Sequence, residues 1–554
     1  MGEFSKEIRA YALKNAVEFG QVETDKILPK LFQHGLKKGD VKEVMPEIAK
    51  IVQEVNALSG EDIDKEFLEY SQYVKVREEK EKGLPELRNA DDDMVFRLAP
   101  YPSGALHIGN AKTYLLNALY AEKYNAKTIL VMDDTIGSEE KHIAPEAYDL
   151  IEEAFKELGV MYDKPIIYKS DRLEIYYLHG EKLLLLDKAY VCRCPQEKLR
   201  DNRAKGIECS CRNLSVSEQL ERWKEMFKGK PGSAVMRLKT SMLDPNPAFR
   251  DRVLFKISDR EHPRVGKKYR VWPTLEMSWA VDDSMLGITH ILRGNDLAIE
   301  SDMERFIWDI FGWKHPIIIH TGLIKIETSE AKLSKSKAQK EVESGEFSGW
   351  DDPRTWSIQS LMRRGIRKEA IREFVSEIGL NRQDITVPIE NLYAINRRLI
   401  DLEANRYFFV SNPIELNVKN APALNVVDMP IHPDKPEKKL VDIAPGKIYI
   451  SEDDFKGSHG KEIRLLHLYN MKLEKGKEAE FVSMENKNIP KVAWVSVPRN
   501  AKVLMPNGKW MEGLVNENIS DLKKGDMIQF EKFGFCRFDG INKKKEYEFW
   551  FAHK

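Results

Sequence analysis

The first part of the chain carries apolar residues at helical spacing. Lysine and glutamate separate a series of apolar positions that consists of Val44, Ile48, Ile51, Val52, Val55 and Leu58. A repeat close to the helical period is typical of an amphipathic helix with one buried face. We therefore predict helices over residues 1–90, and the highly charged stretch 75–92 at their end is typical of a linker or an exposed helix.

The pattern changes at Met94. The short apolar run MVFRLAP ends in proline and is followed by a glycine-containing loop, by a segment with Leu115, Leu116 and Leu119 on one helical face, and by the apolar run KTILVM. Strand, loop, helix and strand form a βαβ unit, so we predict a parallel α/β sheet. The later run KHPIIIHTGLIKI is predicted to join this sheet, and the 190–270 region is predicted to be an insertion.

Residues 350–410 return to a helical pattern, and after about Asp401 apolar and polar residues alternate instead. Examples are GKIYISEDDF, EIRLLHLYNMKL and KEYEFWFAHK, and turn signals such as Asn507-Gly508 separate several of these segments. Alternation over short, evenly spaced segments indicates an all-β region, barrel-like by the number and spacing of its strands.

Composition narrows the class of protein. A chain of 554 residues is too long for one core, and 42% hydrophobic with 32% charged residues is typical of a globular protein with several domains. Lys+Arg 88 against Asp+Glu 89 excludes a uniformly basic, histone-like binder, although local basic patches leave nucleic acid open. Five cysteines exclude a disulfide scaffold. The chain shows no apolar signal region and no run of about 18 apolar residues, so we expect a cytoplasmic protein without membrane contact.

The loop at 100–110, PYPSGALHIGN, lies between the first predicted strand and its helix. Glycines allow the backbone to approach a bulky anion, and the start of the helix presents free N–H groups. His107 can donate a hydrogen bond to a phosphate oxygen. A lone motif of this kind is more often a structural turn, but its place between a strand and an amphipathic helix favours phosphate binding.

A second candidate is AKLSKSK at 331–337, where lysines alternate with small hydroxyl residues. Such a loop can close on a polyphosphate and neutralise charge as a phosphoryl bond breaks. By itself the run is typical of a solvated surface. Its pairing with the loop at 100–110 favours the phosphate interpretation.

Four cysteines cluster as Cys192-x-Cys194 and Cys209-x-Cys211. Four thiolates in a cytosolic chain are typical of a tetrahedral structural Zn²⁺ site with no open coordination position. The alternative is a set of unpaired cysteines. The fifth, Cys536, has apolar neighbours and is predicted to lie in a core.

At this point the sequence resembles a known family. HIGN (107–110) and KLSKS (332–336) resemble the two signatures of class I aminoacyl-tRNA synthetases, HIGH and KMSKS. RLAPYPSGALHIGNAKTYLLN, VMDDT, AVDDSMLGITHILRG and GWDDPRTWSIQSLMRRGIRKEAIREFVSEIGL are similar to the glutamyl/glutaminyl subfamily. The last stretch and the β-region resemble glutaminyl enzymes and the archaeal and eukaryotic type of glutamyl enzyme. The resemblance covers roughly residues 90–554.

The resemblance implies a Rossmann-type catalytic domain, an inserted acceptor-stem domain and two C-terminal β-barrels that read the anticodon. The expected divisions are an N-terminal helical extension (1–90), the first half of the catalytic core (91–190), a Cys-rich insertion (191–270), the second half of the core (271–330), the KLSKS loop and helical stem (331–401) and the anticodon-binding barrels (402–554).

The resemblance also implies a reaction. We expect ATP-dependent ligation of L-glutamate to the 3′ end of tRNA-Glu through a glutamyl-adenylate, with Mg²⁺ on the phosphates and the protein a monomer. Ligation to tRNA-Gln as a second acceptor is left open. The expected catalytic residues are His107, Lys335 and Lys332. The expected ATP site comprises Pro100, Ser103, Gly104, His107, Gly109, Asn110, Lys332, Ser334 and Lys335.

Charge favours glutamate over glutamine as the substrate. An anionic side chain needs a fixed cation, best a bidentate guanidinium. Arg293 stands where the glutaminyl subfamily carries a neutral residue, and Arg97 matches the other arginine of the amino-acid pocket. Asp133 suits the substrate ammonium, and the resemblance also assigns Thr135 to the amino-acid pocket. Each arginine could instead form an ordinary structural salt bridge.

Two positions depart from the family pattern. Asn110 replaces the last histidine of the first signature. Leu275 stands where a tyrosine of the amino-acid pocket is common, so the sequence does not decide whether residues 275–279 form the side-chain pocket. Three alternatives remain: a glutaminyl enzyme, a nucleotidyltransferase with a HIGH motif but no tRNA, and a non-catalytic tRNA-binding paralogue. Arg293 argues against the first, chain length against the second, and the presence of His107 and Lys335 against the third.

Basic residues supply candidate contacts to RNA phosphates, which position a nucleic acid without specifying its sequence. The candidates are Arg193, Arg200, Arg203, Arg212, Arg363, Arg364 and Arg367. Base specificity is expected from unstacked anticodon bases held by the barrels.

Overall fold

The computed structural model describes residues 4–20, 22–74, 83–88, 90, 93–136, 142–327, 335–474 and 476–554. The chain divides into two compact units, Met1–Lys82 and Gly83–Lys554, and each is described by itself. Within the described part of the chain, no helix combines the length and the apolar character needed to cross a membrane.

The smaller unit is helical. Its helices are α1 (Ser5–Phe19), α2 (Thr24–Leu31), α3 (Val41–Asn56) and α4 (Gly60–Tyr70). The periodic face of α3 is buried at Ile48, Ile51, Val52 and Val55, which confirms the helix that the spacing predicts. The helical prediction therefore holds through Tyr70, whereas much of the charged stretch at 75–92 lies outside the described residues.

The larger unit begins with alternating strands and helices. Up to residue 400 its elements are β1 (Val95–Leu98), α5 (Ile108–Lys123), β2 (Lys127–Met132), α6 (Ala147–Glu157), β3 (Asp163–Tyr168), α7 (Leu173–Leu185), β4 (Ala189–Cys192), α8 (Gln196–Lys205), α9 (Val216–Met226), β5 (Val235–Leu238), β6 (Val253–Ile257), β7 (Val271–Pro273), α10 (Leu275–Met285), β8 (His290–Gly294), α11 (Ala298–Phe311), β9 (Ile317–Thr321), β10 (Ile324–Glu327), α12 (Lys335–Glu343), α13 (Ile358–Arg363), α14 (Lys368–Ile378), β11 (Ile385–Pro388) and α15 (Ile389–Ile400).

The predicted parallel sheet is present. Its strand order is β3-β2-β1-β8-β9, and every neighbouring pair is parallel. The chain moves from β1 through β2 to β3 in one direction, and β8 and β9 extend the sheet in the other. The order therefore reverses beside β1, and in open α/β sheets a ligand binds at such a point, outside the carboxyl ends of the strands.

The run KHPIIIHTGLIKI is divided between two sheets. Its first part forms β9 of the parallel sheet, as predicted, but Ile324–Glu327 leaves that sheet and pairs in parallel with β11. A separate antiparallel sheet, β4-β5-β6-β7, lies in sequence between β3 and β8. It extends from Ala189 to Pro273, slightly beyond the predicted insertion.

The last part of the chain is all-β with one short helix, as predicted. Its elements are β12 (Asn405–Tyr407), β13 (Phe409–Ser411), β14 (Pro413–Lys419), β15 (Val426–Pro430), β16 (Lys438–Asp442), β17 (Lys447–Ser451), α16 (Glu452–Ser458), β18 (Glu462–Leu465), β19 (Asn470–Leu473), β20 (Glu478–Ser483), β21 (Lys491–Val492), β22 (Pro498–Leu504), β23 (Trp510–Asn516), β24 (Met527–Phe530), β25 (Gly534–Ile541) and β26 (Tyr547–His553).

Most of these strands form two nearly closed, barrel-like sheets, and β15 and β16 form a separate two-stranded sheet. In the first, β12 and β13 lie at opposite edges of the order β12-β24-β25-β26-β22-β23-β13, yet only Phe408 separates them in sequence, so the two edges come together. In the second, β17 and β21 are the opposite edges, and Val495, three residues beyond β21, exchanges backbone hydrogen bonds with Tyr449 of β17. Closure of this kind removes exposed sheet edges.

Candidate active site

A cleft of about 730 Å³ opens at the carboxyl ends of β1, β2 and β8. Its lining includes all four residues predicted for the amino-acid pocket, Arg97, Asp133, Thr135 and Arg293. They come from three strands or strand ends that are adjacent in space but up to 196 positions apart in sequence, which follows from the position numbers. Leu275 and Trp279 of α10 also line the cleft. The segment 275–279 therefore borders this cleft although Leu275 replaces the tyrosine that is common in the family.

His107 caps the N-terminus of α5. Its Nδ1 accepts hydrogen bonds from the backbone N–H groups of Gly109 and Asn110, at 3.1 and 3.4 Å. The side-chain oxygen of Asn110 accepts from the backbone N–H of His107 at 2.9 Å, which completes a reciprocal capping box. Because Nδ1 is an acceptor, a neutral imidazole carries its proton on Nε2, the atom that can donate to a phosphate.

The glycine and the asparagine of this signature have local roles. A Cβ atom at Gly109 would lie 3.0 Å from Cε1 of His107, so a side chain here would displace the folded-back imidazole by a few tenths of an ångström. Asn110 is short enough to reach back to the N-cap backbone, which accounts for an amide at the last position of HIGN. Gly104, in the loop before the helix, has φ of +140°, a value that favours glycine.

The loop 99–107 is fixed at both sides. The backbone N–H of Asp133 donates to the carbonyl of Pro100 at 2.9 Å, and that of Ser103 donates to Tyr101 at 2.9 Å. On the other side, the N–H of Ile358 donates to the carbonyl of Leu106 at 2.8 Å. The predicted phosphate loop is therefore held against both the end of β2 and the start of α13.

The second signature is largely outside the described residues. Lys332 and Ser334 are not described, and Lys335 is described only as the first residue of α12, without its side chain. Their predicted contacts with ATP remain a prediction.

Arg97 is buried and paired. Its Nε and Nη2 donate to the two carboxylate oxygens of Asp283 at 2.5 and 3.2 Å, a bidentate geometry. The guanidinium carbon also lies 3.5 Å from the ring centroid of Trp279. Asp283, on α10, thus fixes the guanidinium at the wall of the cleft.

Arg293 has a different arrangement. Its Nη1 donates to both oxygens of Glu304, at 3.0 and 2.9 Å, and to the hydroxyl of Ser301 at 3.1 Å. Its Nε is buried and has no hydrogen-bond partner among the described residues. Burial raises the pKa of Glu304 to about 7, and Arg293 opposes that shift. Arg293 lines the cleft, so its guanidinium lies at the cleft wall.

Asp133 also has a buried counter-ion. Lys169, which follows β3 and is fully buried, places its Nζ 3.0 Å from Oδ1 of Asp133. The indole Nε1 of Trp279 donates to Oδ2 at 3.3 Å. No motif in the sequence predicts Lys169, Asp283 or Glu304 as site residues. The position of Lys169 at the end of a parallel strand was the available signal, because such ends face the ligand side of the sheet.

The neighbouring residue, Asp134, anchors the end of β2. Its carboxylate accepts from the N–H and the hydroxyl of Ser170 at 2.8 and 2.7 Å and from the hydroxyl of Tyr148 at 3.0 Å. Nε2 of His262 contacts its backbone carbonyl at 2.7 Å. Burial raises the pKa of Asp134, although these donors oppose the shift. The Asp133–Thr135 segment is therefore fixed from several elements.

The four clustered cysteines come together. The Sγ atoms of Cys192, Cys194, Cys209 and Cys211 all lie within 4.8 Å of one another, and two of the separations are 3.6 and 3.3 Å. Tetrahedral Zn–S bonds of about 2.3 Å correspond to sulfur separations of about 3.8 Å. A guanidinium nitrogen of Arg222 lies 3.3 Å from the sulfur of Cys211, where it favours a thiolate. The donor set and its spacing fit a structural zinc ion.

Among the basic residues of the insertion, Arg203 lines the cleft and Arg200 lines the adjoining cavity of about 530 Å³ beside Cys192 and Cys194. Arg193 and Arg212 are paired with Glu225 and Asp251 respectively. Arg200 is exposed. Arg200 and Arg203 therefore lie beside the cleft and its adjoining cavity.

The stem arginines differ in exposure. Arg363 pairs with Asp351 and Asp539, and Arg367 is exposed beside Glu403. Arg364 is only 1% exposed and donates to the backbone carbonyls of Phe551 and Ala552 at 3.1 and 2.8 Å. A guanidinium in this position holds α13 to β26 of the barrel and does not face a phosphate in solution.

Comparisons with known proteins agree with this architecture. The catalytic domain of the class I tRNA synthetases (E and Q) matches residues 93–402, and two anticodon-binding domains of the same group match 404–489 and 480–539. A glutamate–tRNA ligase of Methanocaldococcus jannaschii is 40% identical over 549 residues, 96% of this chain and 97% of the relative. One from Pyrococcus abyssi is 42% identical over 569 residues, 98% of each chain.

Among solved structures, a glutamate tRNA ligase from Elizabethkingia meningosepticum is 20% identical with a TM-score of 0.40, covering 56% of this chain and 70% of that one. The domain matches span most of the larger unit, and the sequence relatives cover nearly the whole chain. The chain belongs to the class I tRNA synthetases of the E and Q group.

Proposed function

We propose that this chain is a glutamate–tRNA ligase. The main support is the cleft lined by Arg97, Arg293 and Asp133. This cleft lies where the strand order of the parallel sheet reverses. Two cations and a carboxylate suit an amino acid that has two acidic groups and one ammonium. The archaeal relatives with the printed name glutamate–tRNA ligase support the same assignment.

In the first step, an oxygen of the glutamate α-carboxylate attacks the α-phosphorus of ATP. The bond from that phosphorus to the bridging oxygen breaks, and glutamyl-adenylate and diphosphate form. In the second step, the 2′-hydroxyl of the terminal adenosine attacks the adenylate carbonyl, loses its proton and releases AMP. Catalysis comes from positioning and charge stabilisation, without a nucleophilic side chain.

The phosphates are assigned to the loop at 100–110 and to the KLSKS segment. His107 donates from Nε2, since its Nδ1 is engaged by the helix N-terminus. Free N–H groups at the start of α5 add a favourable field for an anion. Lys335, with Lys332 in support, neutralises the charge that develops on the leaving diphosphate, and Mg²⁺ accompanies ATP.

The amino acid is assigned to the opposite part of the cleft. The glutamate side chain meets Arg293, whose Nε is a buried donor without a partner among the described residues. Arg97, held by Asp283, supplies the second guanidinium, and Asp133 takes the ammonium. A glutaminyl enzyme would offer a neutral group in place of Arg293.

The insertion and the barrels are assigned to tRNA. Arg200 and Arg203 lie beside the cavity next to the active-site cleft, so they are the best placed of the predicted phosphate contacts. Zinc bound by the four cysteines would stabilise this part of the fold and take no part in the reaction.

Charging assays with both amino acids and both tRNAs test the proposal. We expect glutamate to be attached to tRNA-Glu, with no glutaminyl-tRNA formed, and Lys335→Ala to slow adenylate formation in single turnovers while tRNA binding is unchanged. Stable attachment of glutamine would favour the glutaminyl alternative. Charging of tRNA-Gln with glutamate would show that the enzyme serves both tRNAs.

A further inference from the structure

Lys169 is a buried cation behind two residues that line the amino-acid cleft, Asp133 and Trp279. Its side chain is fully buried, and its Nζ contacts Oδ1 of Asp133 at 3.0 Å and donates to the hydroxyl of Ser278 at 2.8 Å. It is not among the residues that line the cleft. Lys169 therefore acts on a ligand through its charge and through Asp133, and not by direct contact.

The ring of Trp279 separates this cation from another. Nζ of Lys169 lies 3.4 Å from the ring centroid, and the guanidinium carbon of Arg97 lies 3.5 Å from the same centroid. Two cations at such short distances cannot share one face of the ring, so the indole lies between them. Cation–π contacts on both faces of Trp279 hold the two positive charges close together.

Three buried ion pairs lie at the amino-acid cleft. Arg97 pairs with Asp283 and Arg293 with Glu304, and the third pair is Lys169 with Asp133. All six side chains are nearly or fully buried, so solvent screens them weakly. With Glu304 ionised, the three pairs sum to zero formal charge. Without Lys169 they would sum to one negative charge, which is unfavourable for an anionic substrate.

We propose that Lys169 is a specificity-determining residue that favours glutamate over glutamine by cancelling the charge of Asp133. The inference rests on the proposed function. Glutamate and glutamine carry the same ammonium and the same α-carboxylate, so any effect of Lys169 on those groups is common to both. The two ligands differ in side-chain charge, and a nearby buried cation changes only the binding of the anionic side chain.

The test is the ratio of the glutamine inhibition constant to the glutamate KM, measured in tRNA-dependent aminoacylation. For Lys169→Met, which keeps the length of the side chain and removes the charge, we expect this ratio to fall by roughly 3- to 30-fold. Lys169→Arg, which keeps the charge, should restore most of the ratio. The KM for tRNA should not change in either variant.

A matched control removes a buried lysine elsewhere. Lys112 is 1% exposed, and its Nζ donates to the carbonyl of Gly322 at 2.8 Å, so Lys112→Met also removes one buried cation. A purely structural effect would lower the melting temperature in both variants. Only a charge effect in the pocket would lower the ratio in Lys169→Met and leave it unchanged in Lys112→Met.

An unchanged ratio in folded Lys169→Met would overturn the inference. If thermal melting shows that this variant does not fold, Lys169→Gln, which can still reach Ser278 by a hydrogen bond, provides the same measurement with the same two outcomes. Failure of the wild-type enzyme to charge glutamate would instead contradict the proposed function. The two failures are therefore distinguishable.

Discussion

Glu304 and Arg293 form a fully buried ion pair, with 2.9 Å between Oε2 and Nη1, at the wall of the cleft that we assign to glutamate. The carboxylate holds the guanidinium but also cancels the charge that an anionic ligand would use. Burial raises the pKa of Glu304 to about 7, so its charge changes within the physiological range. We therefore expect the affinity for glutamate to depend on pH.

The expected result is a glutamate KM that rises several-fold between pH 6 and pH 8. Below about pH 7 the protonated Glu304 is neutral, and Arg293 offers its full charge to the ligand. Above that pH the carboxylate of Glu304 is ionised and competes with the substrate carboxylate for Arg293. Burial lowers the pKa of the nearby His320, which favours its neutral form over the same range. Steady-state aminoacylation at saturating ATP and tRNA measures the effect.

Glu304→Gln is the control for this prediction. The amide oxygen can still accept from Arg293, but it does not titrate, so the glutamate KM should be low and flat from pH 6 to pH 8. A wild-type KM that does not vary, or an equal slope in the variant, would show that Glu304 keeps one charge state over this range.

His107→Asn separates the helix-capping role of His107 from its role in catalysis. Asparagine is among the best N-cap residues, so the variant should keep the start of α5 and melt close to the wild type. It lacks the Nε2 donor, and loss of one donor to developing charge costs roughly 100-fold or more in rate. ATP–pyrophosphate exchange in the presence of tRNA measures that loss.

His107→Ala completes the comparison. It removes both the cap and the phosphate donor, and loss of the cap alone costs about 1 kcal/mol of stability. We therefore expect a lower melting temperature in His107→Ala than in His107→Asn, with similar loss of exchange. Near-normal exchange in His107→Asn would exclude Nε2 as a phosphate donor.

Metal content tests the cysteine cluster. Purified protein should contain about one zinc per chain, because four thiols within 4.8 Å form a closed tetrahedral donor set. Cys209→Ser should lose the metal and destabilise the β4–β7 sheet, whereas Cys536→Ser, at a buried cysteine of the barrel, should keep it. Elemental analysis measures the zinc content of each protein. Less than about half an equivalent of zinc per wild-type chain would count against the site.

Local patterns in the sequence predict much of this fold. The βαβ order, the helical periodicity of α3 and the alternation after Asp401 each depend on neighbouring residues, and the structure confirms all three. The first signature was also readable, since a strand, a glycine-containing loop and a helix place His107 at a helix N-terminus. The sequence does not predict which nitrogen of its imidazole carries the proton, because that depends on hydrogen bonds from the backbone.

The counter-ions of the cleft could not be predicted. Asp283 is 186 positions from Arg97 in sequence, and neither its neighbours nor its spacing indicates the pairing. Arg364 shows the converse. It belongs to a basic run that resembles a phosphate-binding surface, but packing of α13 on β26 buries it against strand carbonyls. In both examples the environment of the arginine depends on contacts between elements that are distant in sequence. A local charge pattern does not predict such contacts.

His553 makes the stability of the stem–barrel junction depend on pH. Its Nε2 contacts the amide of Asn396 at 2.9 Å, and its ring lies 5.2 Å from that of Tyr393. Burial lowers its pKa to about 4 from the ordinary 6.5. The folded state thus keeps the ring neutral while the unfolded chain binds a proton, so stability should be lost as pH falls from about 6.5 to 4, by up to about 3 kcal/mol. His553→Gln lacks this titration. In thermal melts, the wild type should lose more stability than the variant between pH 7 and pH 5, and parallel losses would contradict the assignment.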